Sequence, residues 1–382
     1  FTLSNCVNSG IFDVMIIAQY RPHSLIEHIG AGGPWDLNRD FTGGVRIYTP
    51  YKARGASDWF LGTADAVQQN FRFVKNSNPD LVLILSGDHI YEMNYALMIE
   101  AHEAKQADLT LATIMVPFKD ATRLGIVGVD AESQVNSFVE KPAQPPSNLA
   151  NMGVYLFKTD ILNQYLLEDH KLTNSSHDFG KDILPKMIAD GARVFAYPYN
   201  GYWMDVGTAV SYWKAHMDHL DDKPPFDLND RSWIIHTRTE ERPPVWIARG
   251  AIIENSLICD GCEIDPTAKV IRSVLSPGVM VRPGAVVRES ILLTDTIIES
   301  EAIIERAIID KRVKIRSRAK VGGMVDSPDP VLTMVGKNSE VPSGFTVEPG
   351  AVIGTDVIES DYPAQVVRGD DYILTKRLAH EV

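Results

Sequence analysis

The sequence predicts two successive folds: an α/β domain with a Rossmann-like, mixed but mainly parallel sheet, then a left-handed parallel β-helix. Three observations lead there. Through the first half, apolar runs of strand length alternate with helix-like segments, the order of a doubly wound sheet. From Leu257 onward single apolar residues recur in turns of 17 residues, the signature of stacked coils. The length, 382 residues, exceeds what one core usually fills. The expected domains are 1–217 and 245–382, joined by a linker at 218–244 that carries Pro224, Pro225, Pro243 and Pro244.

A formal net charge of -13 argues against nucleic acid or an anionic membrane as a main partner, since both select basic surfaces. No apolar segment is long enough to span a bilayer and no signal peptide is recognisable, so a cytoplasmic protein is expected. Cys6, Cys259 and Cys262 are too few for a disulfide framework. The C-x-x-C pair lacks a second Cys/His pair and is expected to be core filling rather than a metal site.

In chain order, Val14 to Ala18 reads as a strand, and Gln19-Tyr20-Arg21-Pro22 turns into a helix with Leu25, Ile26 and Ile29 on its apolar side, closed by Gly30. Val45 to Tyr48 is a second strand. The Gly/Ala/Ser-rich stretch from Tyr51 to Asp58 reads as a flexible loop suited to fold over a ligand. Thr63 is the expected N-cap of a helix with Ala66, Val67, Asn70 and Phe71 inside; that helix start is an anion site or simply an ordinary cap.

Leu81 to Leu85 is an uninterrupted apolar run, read as a strand buried on both faces of a parallel sheet, and it stops at Ser86-Gly87-Asp88-His89. A carboxylate at the carboxyl end of such a strand lies where open α/β sheets bind ligands; the plain alternative is that Asp88 caps the next helix, expected from Asn94 to Lys105. Asp108 to Val116 is another strand. Gly125 to Val129 and Val135 to Pro142 then form an antiparallel or mixed insert ending in Glu140-Lys141, and alternation along a strand puts one of these two charges toward the cleft. A strand at Asn151 to Phe157, a helix at Ile183 to Ala189 and a strand at Val194 to Tyr197 follow. Asp205 is a second acidic residue at a strand-to-helix junction, and two such carboxylates, brought together, suit a hard divalent cation completed by phosphate oxygens.

In the second half the 17-residue register is tight. Ala268, Ala285, Ala302 and Ala319 form one column; Ile264, Val281, Ile298 and Ile315 form another; Val270, Val287, Ile304 and Val321 a third. An insertion is expected at about Val325 to Ser339. The basic run from Arg306 to Lys320 reads as a solvated face, with an anion site as the alternative.

Gly62-Thr63-Ala64-Asp65-Ala66-Val67, Ser86-Gly87-Asp88-His89-Ile90-Tyr91, Phe138-Val139-Glu140-Lys141-Pro142 and Gly201-Tyr202-Trp203-Met204-Asp205-Val206-Gly207-Thr208, followed by a hexapeptide coil, together resemble the bacterial glucose-1-phosphate adenylyltransferases, or ADP-glucose pyrophosphorylases, among the sugar nucleotidyltransferases. The resemblance spans essentially the whole chain. It implies transfer of AMP from ATP to glucose 1-phosphate, with Mg²⁺ as cofactor held by Asp88 and Asp205. It further implies that Asp88 and Lys141 are catalytic, that Glu140, Lys141, Asn151 and Gly153 bind glucose 1-phosphate, and that Gln19, Phe60, Gly62 and Thr63 bind the nucleotide. A homotetramer or hetero-oligomer and a small-molecule allosteric effector are implied as well.

The chain departs from the family at Phe60 and Leu61 (usually tyrosine and arginine), at Met204 (usually arginine) and at Asn151 (usually serine). Two alternatives therefore stand beside the active enzyme: a weakly catalytic regulatory subunit, and a nucleotidyltransferase using another nucleotide. The family's glycine-rich phosphate loop and the lysine after it belong before Phe1, so these residues alone are expected to be inactive.

Overall fold

Helix α1 (Thr2–Asn8) precedes the first strand, burying Cys6, and its Asn5 Nδ2 donates to Tyr91 O at 3.0 Å. The computed structural model describes residues 1–39, 42–50 and 59–378, so the loop Tyr51 to Asp58 expected to cover a ligand lies outside the described residues. Strand β1 (Asp13–Ile17) pairs in parallel with β2 (Gly44–Tyr48) across α2 (His23–Ile29). Of the expected apolar side of α2 only Ile29 is buried; Leu25 and Ile26 are exposed.

Then follow α3 (Thr63–Ser77), β3 (Leu81–Leu85), β4 (His89–Tyr91), α4 (Tyr95–Ala104), β5 (Leu109–Met115), α5 (Phe118–Ala121), β6 (Gly125–Val129), β7 (Val135–Glu140), β8 (Leu149–Lys158) and α6 (Thr159–His170). A π-helical turn (Phe179–Ile183), α7 (Leu184–Ala189), β9 (Val194–Pro198), β10 (Trp203–Asp205) and α8 (Ala209–Asp218) complete this half. Helix α6 escapes a reading by composition, yet it repeats Leu162, Tyr165 and Leu166 at helical spacing and buries all three.

The main sheet runs β7-β6-β8-β5-β9, with β3 also on β8. It is mixed: β5 and β9 are parallel, whereas β3–β8, β5–β8 and β6–β7 are antiparallel. Leu81 to Leu85 therefore lies antiparallel to β8, and its residues are half-buried rather than enclosed on both faces. Alternation along β8 sends Tyr155 and Phe157 into one core with Leu109, Leu162 and Ile183, and Met152, Val154 and Leu156 into another with Tyr91 and Met98.

Two compact units emerge: Phe1–Trp203 with Leu228–Arg238, and Met204–Asp227 with Thr239–Val382. Packing, rather than the proline-rich composition of 218–244, places these divisions. Helix α8 belongs with the coil, since Trp213 Nε1 donates to Glu289 O at 2.7 Å and Met217 packs with Leu220 and Ile291. Residues Leu228–Arg238 return to the first unit, where His236 N donates to Ser4 Oγ at 2.9 Å and Trp233 Nε1 to Asn5 Oδ1 at 3.1 Å.

The second unit is the predicted left-handed β-helix, three parallel sheets stacked turn on turn. Its register is the 17-residue step: Ile264 pairs with Val281, Val281 with Ile298 and Ile298 with Ile315. All four column alanines and the Ile264 column are 0% exposed. Each turn is bent at three corners by left-handed residues that also recur every 17, as at Thr267, Gly284, Glu301 and Arg318, where φ lies between 61° and 73°. After Ile308 the partner is Met334 rather than Val325, so nine residues loop out between Gly322 and Thr333, earlier than the repeat alone suggests. In the basic run Arg306 bonds Glu289 at 2.8 Å and Arg316 bridges Glu299 and Glu340, as expected of a solvated face. Cys262 is buried, whereas Cys259 is exposed and so is not core filling.

Candidate functional site

The carboxyl end of β3 is tied to β8 by Ser86 N, which donates to Gly153 O at 3.1 Å. Asp88 follows, its side chain 61% exposed and its Oδ1 3.6 Å from His89 Nε2. The His89 ring in turn meets the edge of Trp203 at 5.0 Å. Asp88 caps no helix: the cap of α4 is Asn94, whose side chain accepts from Ala96 N at 3.0 Å. An acidic group raised on a strand end, open to solvent and not spent on a cap is available to a ligand.

Asn151 and Gly153 sit where β8 slips against β5, the register moving from Leu111 opposite Tyr155 to Thr113 opposite Asn151. Such an irregularity re-aims side chains. Asn151 Nδ2 donates to Tyr155 Oη at 2.7 Å, and Asn151 Oδ1 accepts from Gly153 N at 3.2 Å. Burial pushes the Tyr155 phenol well above its ordinary pKa, so it stays protonated. Gly153 has φ +66°, which favours glycine, and a Cβ there would stand 3.0 Å from Ser86 Oγ and 3.2 Å from His89 Cε1, so a side chain would also press on both neighbours.

Glu140 ends β7 with Oε2 beside Gly125 and Gly180; an added Cβ would lie 2.9 Å and 3.0 Å from it, respectively. Lys141 Nζ is 3.7 Å from Glu140 Oε1, and Lys141 is the more exposed, at 65%. Strict alternation fails here because Lys141 is left-handed, with φ +46° and its N–H given to Leu124 O at 3.1 Å. The turn brings the two adjacent charges together instead of onto opposite faces.

Phe60 N donates to Gln19 Oε1 at 2.9 Å, joining two of the expected nucleotide residues. Gln19 borders a cavity of about 480 Å³ lined in part by Tyr20, Arg21, His23 and Trp59, in which the Tyr20 and Trp59 rings lie 4.9 Å apart. The N-cap of α3 is Gly62, not Thr63. Thr63 Oγ1 instead donates to Asp178 Oδ2 at 2.9 Å and accepts from Phe179 N at 3.1 Å. Nor is the start of α3 an open anion site, because Ala64 N and Asp65 N donate to His177 O at 2.8 and 3.3 Å. Asp65 is buried in the first turn and accepts from Leu61 N at 2.9 Å and Gln69 Nε2 at 2.8 Å.

The first unit thus brings together Asn151, Gly153 and Asp88 around β8 and β3, and separately Gln19, Phe60, Gly62 and Thr63. Asp178 stands between Thr63 and the Glu140 side, since a Cβ on Gly180 would meet Glu140 Oε2 and Asp178 Oδ1 at 3.0 and 3.4 Å. Sequence reading missed Asp178 and Tyr155, although His177-Asp178 ahead of a glycine carried the signal of a side-chain-capped turn. Asp205 belongs to the second unit, where its Oδ1 accepts from Gly207 N at 2.8 Å ahead of α8. Among the described residues no cluster of three or more His, Cys, Asp or Glu forms a ready metal cage, and no helix is long and apolar enough to cross a membrane.

A nucleotidyl transferase family model matches residues 1–222, and a model of the GlmU-like C-terminal hexapeptide region matches 246–329. The glucose-1-phosphate adenylyltransferase of Thermotoga maritima is 47% identical over 385 residues, covering 98% of this chain and 90% of its own length. Proteins of the same name from Geobacillus stearothermophilus and Clostridium novyi are 48% and 46% identical over 281 residues, 74% of this chain and 72% and 73% of theirs. A relative of that name at 47% identity covers 98% of this chain, and the chain belongs to the glucose-1-phosphate adenylyltransferase family.

Proposed function

We propose that the protein is a cytoplasmic enzyme that transfers AMP from ATP to glucose 1-phosphate, giving ADP-glucose and pyrophosphate for glycogen or starch synthesis. The observation that carries this reading is the 47% identity maintained over 98% of the chain with relatives of that name. A phosphate oxygen of the sugar phosphate attacks the α-phosphorus in line, the new P–O bond forming as the bond to the β-phosphate oxygen breaks and pyrophosphate leaves. Glu140, held between Gly125 and Gly180, accepts from sugar hydroxyls, with Asn151 and Gly153 shaping the same pocket. Lys141, exposed on its left-handed turn, sets a point charge against the sugar phosphate. Gln19, Phe60, Gly62 and Thr63 hold the adenine and ribose.

Asp88 fits a Mg²⁺ ion: it is a solvent-open carboxylate, and this hard cation takes one or two carboxylates plus phosphate oxygens rather than a full protein cage. When bound, Mg²⁺ neutralises phosphate charge. The assembly we propose is a homotetramer or hetero-oligomer controlled by a small-molecule effector. The exposed Leu61 and the presence of Phe60 and Met204, where the resemblance leads one to expect other residues, favour as second reading a weakly catalytic regulatory subunit.

Pyrophosphate release by the full-length protein from each nucleoside triphosphate with glucose 1-phosphate tests the reading. Fastest turnover with ATP supports it; preference for UTP or GTP reassigns the nucleotide, and poor turnover with all supports the regulatory subunit. Asp88→Asn is expected to lose several orders of magnitude, and unchanged activity removes Asp88 from the mechanism. Asp205→Asn tests the second carboxylate by itself.

A further inference from the structure

We propose that Asp169, His177 and Ser175, none of which reaches the open site, form a positioning cluster that locks the Gly62–Thr63 turn to the Asp178–Glu140 side and so sets the affinity for both substrates. The proposal rests on the enzymatic reading above.

Asp169, in the last turn of α6, is 4% exposed and uses both oxygens: Oδ1 accepts from Ser175 Oγ at 2.6 Å and Oδ2 from His177 Nδ1–H at 2.7 Å. Ser175 Oγ also accepts from His177 N at 2.9 Å, closing the ring of contacts. A carboxylate facing Nδ1 places the ring proton there and fixes the orientation of the imidazole. His177 is 8% exposed and left-handed, with φ +53°, a conformation that persists for a residue other than glycine only where its surroundings hold it.

That conformation directs the His177 carbonyl at the start of α3, where it takes both Ala64 N and Asp65 N. The two segments run so close that a Cβ on Gly62 would overlap the Ser176 and His177 carbonyl oxygens. The next residue, Asp178, accepts Thr63 Oγ1 on one oxygen and Gly180 N and Lys181 N on the other, at 2.9 Å and 3.1 Å for the two amides. Gly180 is the residue against Glu140 Oε2. The buried Asp–His pair therefore stands behind both the nucleotide turn and the sugar side, touching neither substrate itself.

Asp169→Asn keeps the shape but removes the charge and substitutes a donor for one of two acceptors, so Ser175 Oγ must turn from donor to acceptor or His177 must change tautomer, and the native pattern is lost. The test is steady-state kinetics of the full-length enzyme well below its Tm, with both substrates varied. KM for ATP and KM for glucose 1-phosphate are each expected to rise about fivefold or more in Asp169→Asn, with kcat changed less. His177→Asn, which tolerates the left-handed backbone, should retain more of both affinities than His177→Val, which does not. If Asp169→Asn fails to fold, Ser175→Ala, which removes two of the three contacts and leaves the Asp169–His177 bond, replaces it with the same expected direction. Both KM values within about twofold of wild type, even with a lowered Tm, overturn the proposal and leave a purely structural tie, as does a fall in kcat alone. A wild-type protein without turnover overturns the enzymatic reading itself, and this inference with it.

Discussion

Asn151 Nδ2 donates to the buried phenol oxygen of Tyr155 at 2.7 Å, so one amide serves as a partner for a core tyrosine and as a wall of the proposed sugar pocket. Asn151→Leu removes the partner and leaves the hydroxyl desolvated, a loss of about 1–3 kcal/mol that urea denaturation measures. In the same variant KM for glucose 1-phosphate should rise about tenfold while KM for ATP stays near wild type. A rise confined to ATP would remove Asn151 from the sugar side.

Gly62→Ala probes the other side. Gly62 is extended, at φ −163°, which any residue adopts, so the cost arises from the close carbonyls of Ser176 and His177 alone. Backbone on one side must shift, and kcat/KM for ATP is expected to fall on the order of 10²-fold, read by pyrophosphate release. Activity close to wild type would show that the turn moves freely.

His102 gives the first unit a pH dependence. It is buried, with Nδ1 2.8 Å from Thr110 Oγ1, and burial, with nearby Lys158, lowers its pKa from 6.5 to about 4 against the opposing pull of Asp108. Between those values the unfolded chain binds more protons than the folded one. Stability is therefore complete above pH 6.5 and falls as the pH drops toward 4, by on the order of 2 kcal/mol for this group. In His102→Gln the urea midpoint should fall less steeply over that window than in wild type; an identical slope would show that His102 does not contribute.

Ala302 occupies the inner column of the coil and is 0% exposed. Ala302→Leu adds volume where neighbouring turns leave none, and should destabilise by about 1–3 kcal/mol with a lower Tm. Exposed Glu301 next to it, changed to Leu, should alter Tm far less.

What was legible in the sequence followed from periodicity and from strand-end chemistry. The alanine and aliphatic columns fixed the coil because every turn must bury the same positions, and the apolar run before Asp88 placed that carboxylate at a strand end. Strand direction was not legible: Leu81 to Leu85 is as apolar as a parallel strand but runs antiparallel to β8, since composition reports burial and not partner. Thr63 looked like a cap because its type suits one, yet the carbonyl of His177, 114 residues away along the chain, took the amides. Asp178 and Asp169 gain their meaning only from contacts that cross the fold, at Thr63 and at His177.

The looped-out residues between Gly322 and Thr333 carry a consequence for how such a coil changes over time. Past the loop the hydrogen-bonded pairing resumes, Lys314 with Glu340 and Lys320 with Thr346, although the chain between partners has grown from 17 to 26 residues. Each turn advances the stack by one strand spacing, about 4.8 Å, whatever its corners contain. Axial length is counted in turns and not in residues, so corners can gain or lose chain, and with it new surface, without disturbing the column inside.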